Sequence, residues 1–206
     1  MLNKVLAALM VVFSVATISL AQDDGHFDAS VGWGGVFSKS AGSNIGNVTL
    51  APTNSGLVFG TFRFRFNRTH GIALNIGRTD NSQIFILPPD NYRLETSITE
   101  YTGAYTVNLF HFQKLEPFLF AGGGALRFYP GKTFIDGFQN AFPAYTQTSM
   151  AFLYGGGVDY PVWRRLALRL QYRGLIYKQP TLRIQQFFTG VRGHMAEPAV
   201  GIVIRF

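Results

Sequence analysis

From Leu166 to Ile176 the chain alternates with a period of two. Leu166, Leu168, Leu170, Tyr172, Gly174 and Ile176 fall on one side, and Arg169, Gln171 and Arg173 on the other. Successive side chains point to opposite faces only in extended backbone, so this segment reads as a strand with one greasy face and one cationic face. The same division recurs at Phe62, Phe64 and Phe66 against Arg63 and Arg65, and at Ile72, Leu74 and Ile76 against Ala73, Asn75 and Gly77. It returns at Tyr101, Tyr105, Val107 and Leu109 against Glu100, Thr102, Thr106 and Asn108. Further segments near 27–37, 117–129, 150–160 and 196–206 bring the expected strands to eight, and beyond Gln22 no helical period competes with them.

The connections alternate as well. Short turns are expected at Asn67–His70, His111–Glu116 and Pro161–Arg165, and long Gly-, Pro- and Asn-bearing loops near 38–55, 79–95, 130–148 and 177–194. Phe118-Leu-Phe-Ala-Gly-Gly-Gly124 repeats weakly as Phe152-Leu-Tyr-Gly-Gly-Gly157, and no linker marks a second domain.

Composition decides what such strands are for. Only 14% of the residues are charged while 47% are hydrophobic and 15% aromatic, too few charges for an ordinary soluble surface and too much apolar content for disorder. The absence of Cys removes disulfide scaffolds, Cys-ligated zinc and thiol catalysis. The net charge of +7 raises the question of nucleic acid. The first residues answer it: Lys4, the apolar run Val5–Ile18 and the exit Ser19-Leu20-Ala21 form a secretory signal peptide, with cleavage expected after Ala21. Residues 1–21 are then a leader and 22–206 a single domain working outside the cytoplasm, where genomic DNA is no partner.

A secreted sheet can turn its apolar face inward or toward lipid. Here the apolar face carries Phe, Tyr, Leu and Ile, whereas the other is rich in Gly, Ala, Ser and Thr as well as charge, the reverse of a soluble core. Aromatics gather at strand ends (Phe27, Phe37, Phe66, Tyr129, Tyr160, Trp163, Tyr177, Phe206), where interfacial girdles sit. Segments of about 10 residues match a tilted strand crossing a bilayer. Slipping the seventh strand by one residue would put Arg169 and Arg173 into hydrocarbon, at about 2–4 kcal/mol each near the midplane. The expected fold is therefore all-β, an eight-stranded antiparallel up-and-down transmembrane β-barrel with short periplasmic turns and long extracellular loops.

The ending, Val200-Gly-Ile202-Val-Ile204-Arg-Phe206, resembles that of the small outer-membrane β-barrels of Gram-negative bacteria, the outer-membrane-protein β-barrel family. The resemblance implies an outer-membrane location, both termini in the periplasm, and an assembly signal at Val200, Ile202, Ile204 and Phe206 read by the barrel assembly machinery. It identifies a class and an assembly route rather than an activity.

With alternate residues assigned inward, the lumen receives the cations Arg63, Arg65, Arg127, Arg169, Arg173 and Arg205 and the acids Asp28, Glu100, Asp159 and Glu197, a net inward charge of +2. Four pairs are expected: Glu100 with Arg127, Arg173 with Glu197, Asp28 with Arg205, and Asp159 with Arg169. Across the barrel, Arg63 and Arg65 are expected to point toward Gly155 and Gly157, and Arg169 and Arg173 toward Ala73 and Gly77. Eight strands leave an interior that side chains just fill, which favours a plug of paired ions over a pore.

Chemistry has few candidates. Of His26, His70, His111 and His194, none has Ser two positions later, the spacing that lipid A deacylases of such folds carry, and His194 with Glu197 is the one His–carboxylate neighbourhood near the outer rim. The Gly-Gly-Gly runs lack the helix a phosphate loop needs. No metal or cofactor is expected. The loops carry Lys39, Arg93, Lys132, Lys178, Arg183 and Arg192, with Asp80, Asp90, Glu95 and Asp136 among them, read either as contacts to lipopolysaccharide phosphates or an external partner, or as solvated charge. Ile45, Val48, Leu50 and Ile84–Leu87 are expected to form a small apolar rim. The reading is a monomeric structural or surface-interaction barrel contacting outer-membrane lipids. A narrow channel for small anionic or hydrophobic solutes is the alternative, and a lipid-modifying enzyme the second.

Overall fold

The computed structural model describes residues 26–42, 48–110, 115–140, 143–184 and 187–206; the expected leader 1–21, Ile45 and His111 lie outside these described residues. The strands are β1 (Phe27–Ser38), β2 (Ala41–Gly42), β3 (Thr49–Pro52), β4 (Ser55–Arg65), β5 (His70–Leu87), β6 (Asp90–Asn108), β7 (Glu116–Ile135), β8 (Phe138–Gln139), β9 (Gln147–Pro161), β10 (Leu166–Lys178) and β11 (Arg192–Arg205). Eight of them, β1, β4, β5, β6, β7, β9, β10 and β11, pair antiparallel with their neighbours in chain order. The circle closes where β11 meets β1, with Asp28 opposite Arg205 and Val31 opposite Ile202. Closure leaves no unpaired edge, the condition for strands to cross a bilayer.

The three remaining strands are short additions at one end. β3 pairs with β5, setting Leu50 opposite Phe85, and β8 folds back on β7 through a tight turn at Asp136 and Gly137, both at positive φ. A Gly at the second turn position supplies that geometry without strain. We call this the loop end. The opposite end carries His26 and Phe206, the first and last described residues, and the described short turns, of which Asn67 braces one by accepting from the Thr69 and His70 amides at 2.8 Å.

Two expected loops are largely strand. The segment 79–95 is a continuation of the β5–β6 hairpin, with Asp80 opposite Ser97 and Phe85 opposite Tyr92, and much of 130–135 continues β7. Their polar outward faces and apolar inward residues blur the lipid-facing alternation, so the hairpins read as loops although their ladders run on. The wall's outer surface is greasy as the alternation implies: Val58, Leu74 and Leu170 are each more than 60% exposed. At the turn end Phe27, Phe62, Phe64 and Phe66 pack ring to ring, with centroids 4.8–5.7 Å apart.

Candidate functional site

The lumen is the region where charge has been taken out of water. At the turn end, Asp28 on β1 accepts from Arg63 Nε at 2.7 Å and lies 3.7 Å from Arg65 and 3.6 Å from Arg169. Asp159 on β9 receives Arg169 through Nε at 2.7 Å and Nη2 at 2.8 Å, and Arg63 at 3.0 Å. Arg205 reaches Glu116 with both terminal nitrogens, at 2.6 and 3.0 Å, and stands 3.8 Å from Asp159. One layer toward the loop end, Arg173 donates to Glu100 and lies 3.6 Å from Glu197. Thr102 also donates to Glu100, at 2.6 Å, and the Asn75 amide links Thr102 to Thr61, so polar side chains of three strands continue the network.

Of the four pairs expected from the alternation, Arg169–Asp159 and Arg173–Glu197 meet. Asp28 and Arg205 are opposite in the ladder, but their side chains part, Asp28 to Arg63 and Arg205 to Glu116. Glu100 does not meet Arg127. Thr99 is the residue opposite Arg127, so Arg127 lies on the outer face, exposed, with its guanidinium 5.0 Å from the Tyr129 ring.

This last difference belongs to the whole of β7. Its even residues face inward: Glu116, Phe118, Phe120, Leu126 and Phe128. Period two makes a strand's faces interchangeable by a single step, and β7 has apolar side chains at both parities, so alternation alone does not choose. The neighbouring strand does. Phe118 lies opposite Gly157 and Phe120 opposite Gly155, and a Cβ built on Gly155 would come within 2.5 Å of the Phe120 ring. The glycines expected to make room for Arg63 and Arg65 instead make room for these rings. Gly77 likewise sits against Glu100 and Phe59, while Ala73 shares a cavity lining with Arg169 and Arg173.

The inward aromatics were the functional residues that parity hid. Phe118 stacks under two guanidinium groups, Arg169 at 4.9 Å and Arg63 at 5.4 Å, and Phe59 under Arg173 at 4.4 Å. A cation over a ring face out of water gains about 2 kcal/mol, which helps hold charges whose solvation is lost. With Arg127 outside and Glu116 inside, the described lumen contains Arg63, Arg65, Arg169, Arg173 and Arg205 against Asp28, Glu100, Glu116, Asp159 and Glu197. The formal charges balance five against five, in place of the expected excess of +2. Between the two ionic layers lies a cavity of about 20 Å³, room for one water.

Toward the loop end the lumen changes character, a second departure from the expected polar interior. Val36, Leu57, Ile98, Leu126, Phe128, Leu153, Leu175 and Met195 are buried inward-facing residues, joined by Leu50, Phe85 and Leu94 above them. Of the expected apolar rim, Val48, Leu50 and Phe85 are buried, Ile84 and Leu87 half-buried, and Ile86 stays exposed. The connection after β10 turns down onto this cluster: Leu182 and Phe187 are buried, and Phe187 stacks on Phe85 with centroids 4.1 Å apart. Gln147 Oε1 accepts from the Leu182 amide at 2.7 Å and the Thr181 amide at 3.0 Å, holding Leu182 at a φ of 51°. A left-handed non-Gly residue persists only when its surroundings fix it.

The histidine neighbourhood separates. His194 faces outward and hydrogen-bonds Tyr154 at 2.8 Å, while Glu197 faces the lumen, so the two form no acid–base pair. His70 makes an equivalent outward pair with Tyr105 at 2.8 Å, and His26 contacts the Arg65 carbonyl at 3.3 Å. No group of three or more His, Cys, Asp or Glu side chains is arranged to hold a metal among the described residues. The loop cations Lys39, Arg93, Lys132, Lys178, Arg183 and Arg192 are exposed. Val200, Ile202 and Ile204 line the outer face of β11, and the Phe206 amide donates to the Phe27 carbonyl at 2.9 Å.

Comparison with known proteins agrees with this architecture. Neisserial surface protein A is 15% identical, with a TM-score of 0.55 over 88% of this chain and 97% of that one. The outer membrane protein OprG from Pseudomonas aeruginosa is 13% identical, with a TM-score of 0.58 over 87% and 95%. Ail, the attachment invasion locus protein of Yersinia pestis, is 12% identical, with a TM-score of 0.50 over 89% and 99%. At these identities the likeness is one of fold. No curated protein sequence matches. The family model of the outer membrane protein β-barrel domain matches residues 5–194, and the chain belongs to that family, whose barrels reside in the Gram-negative outer membrane.

Proposed function

We propose that this protein is a closed, monomeric outer-membrane barrel of structural or surface-interaction type, through which no solute passes and which carries out no catalysis. The observation that carries the reading is the double filling of the lumen: two ionic layers toward the turn end, in which five arginines meet five carboxylates, and an apolar layer, roofed by Leu182 and Phe187, near the loop end. An ion crossing it would have to displace paired guanidinium groups and then enter an apolar layer, two barriers of different kind. Neutrality among the lumen charges also removes the motive for an anion path. The separation of His194 from Glu197 supports the non-enzymatic reading.

In this reading residues 1–21 are removed on export, the turn end and both termini face the periplasm, and the loop end faces outward. Val200, Ile202, Ile204 and Phe206 serve as the signal taken up by the barrel assembly machinery. The exposed cations of the loop end meet lipopolysaccharide phosphates or an external partner. The test is planar-bilayer recording of the refolded protein. Background current from the wild type is expected; a large, stable conductance overturns the closed reading, and an anion-selective current lost on Arg63→Gln and Arg65→Gln would install the channel in its place.

A further inference from the structure

The outer wall above the apolar belt has a feature the lumen does not explain. On β5 and β6 the continuous exposed apolar belt ends at Ile76 and Tyr101, in one ladder row with Ala125 of β7, and an exposed apolar residue returns on β5 only at Ile86, beyond the polar stretch. The next outward row, one step nearer the loop end, is Arg78, Thr99 and Arg127. Strands lie about 4.8 Å apart, so the two arginines stand on the order of 10 Å apart at one depth, close enough to converge on a shared anion. Arg127 has no carboxylate within ion-pair distance among the described residues. Arg78 has only Asp80 at 3.7 Å, both well exposed, a pair too weakly held to satisfy it.

Directly above, the wall is indented by an open polar hollow of 410 Å³, lined among others by Thr53, Asp80, Ser82, Glu95, Ser97 and Gly131. Asp80 is opposite Ser97 and Ser82 opposite Glu95, so these side chains share the outward face. The arginines reach into its margin: Arg78 donates to Ser97 at 3.3 Å from below, and Arg93 to Ser82 at 3.2 Å from above. Carboxylates and hydroxyls on a concave surface suit sugar hydroxyls, while guanidinium groups suit phosphate.

We propose that this face binds a phosphorylated glycolipid of the outer leaflet, its phosphate on Arg78 and Arg127 and its sugar rings in the hollow lined by Asp80, Ser82, Glu95 and Ser97. The depth selects the occupant. A site one residue above lipid-exposed side chains adjoins the head groups of the membrane itself, where a soluble ligand would have to displace them. The proposal rests on the reading that the loop end faces outward, and it places the contact on the barrel wall instead of the loop tips.

The full-length mature chain, refolded in detergent, is titrated with bisphosphorylated lipid A, with enzymatically dephosphorylated lipid A, and with phosphatidylglycerol, and bound lipid is counted by native mass spectrometry. Lipid A is expected to bind about tenfold more tightly than either of the others, through charge-assisted bonds they lack or misplace. The variant Arg78→Gln/Arg127→Gln is expected to lose that margin. Arg164→Gln/Arg165→Gln, the same charge change at the exposed turn end, keeps it, and Arg78→Lys/Arg127→Lys, which retains the charge, recovers part of it. Unchanged lipid A binding by the double Gln variant, or equal binding of phosphatidylglycerol, overturns the site. An epitope inserted at Asp136–Gly137 separates the two levels: if intact cells expose it while the Gln variant binds normally, the wall site fails and the orientation stands; if it is hidden, the orientation itself fails.

Discussion

At the turn end of the lumen four arginines are held by three carboxylates, whereas at the loop end Leu126, Phe128, Leu153 and Leu175 fill the same tube without charge. The ionic half draws every member from the wall strands, and Asp28 and Asp159 each serve three guanidinium groups. The apolar half is completed from outside the wall by Leu182 and Phe187, and it depends on Gln147 to hold that connection down. Wall geometry is therefore sufficient for one filling and insufficient for the other. Long side chains anchored at fixed rows can span a lumen and pair; an apolar layer facing the loop-end opening needs a cover to be kept from water.

The contrast can be broken most directly at Asp159. Asp159→Ala leaves Arg63 and Arg169 without their shared partner and takes a counter-charge from Arg205, and is expected to cost about 3–5 kcal/mol. Equilibrium urea unfolding of the refolded protein measures it; a loss below about 1 kcal/mol would mean the charges are solvated and the ionic half is no plug. Next in size, Leu153→Ala opens a void in the apolar half, for an expected loss of about 2–4 kcal/mol in the same assay. If its effect vanishes, the upper layer is not packed. Gln147→Ala sharpens the comparison, since it frees the Thr181 and Leu182 amides at about 1–3 kcal/mol. Hydrogen exchange is expected to rise in 179–184 while the β10 amides around Arg169 stay protected. Faster exchange at both places would show the two halves to be one cooperative unit. Smallest is Asp80→Asn, which removes the exposed partner of Arg78 and is expected to shift stability by less than about 0.5 kcal/mol.

How far the molecule was legible from its residues varies along the chain. In β10 the alternation is unambiguous: Arg169 and Arg173 can face only the lumen, because the other face of the same strand is Leu168, Leu170 and Tyr172. β1, β4, β5, β6, β9 and β11 could be oriented by the same logic, and with them the barrel and its lipid-facing surface. β7 could not, because Phe118, Phe120 and Phe128 suit hydrocarbon as well as they suit a ring-lined lumen. Arg127 is expected inside for that reason, whereas Glu116 is missed because the turn His111–Glu116 is expected to end where the strand in fact begins. The signal that could have resolved it was the run Gly155–Gly157 on the neighbouring strand, read as space for rings rather than for arginines.

The upper lumen was missed on a related ground. Leu153 and Met195 occupy inward parity, but their apolar neighbours Phe152 and Ala196 mask the period; Leu175 follows from the parity of β10, yet an apolar residue there carries no sign that the lumen has turned from ionic to apolar.

Eight strands, their closure and the direction of their greasy face followed from side-chain periodicity and the solvation of charge, both local properties of a strand. The parity of β7, the partners of Asp28 and Arg205, the neutrality of the lumen and the roof formed by Leu182 and Phe187 depended on the three-dimensional arrangement. Each turns on which residues of separate strands come into register and how far their side chains reach across the tube, distances that no single segment contains.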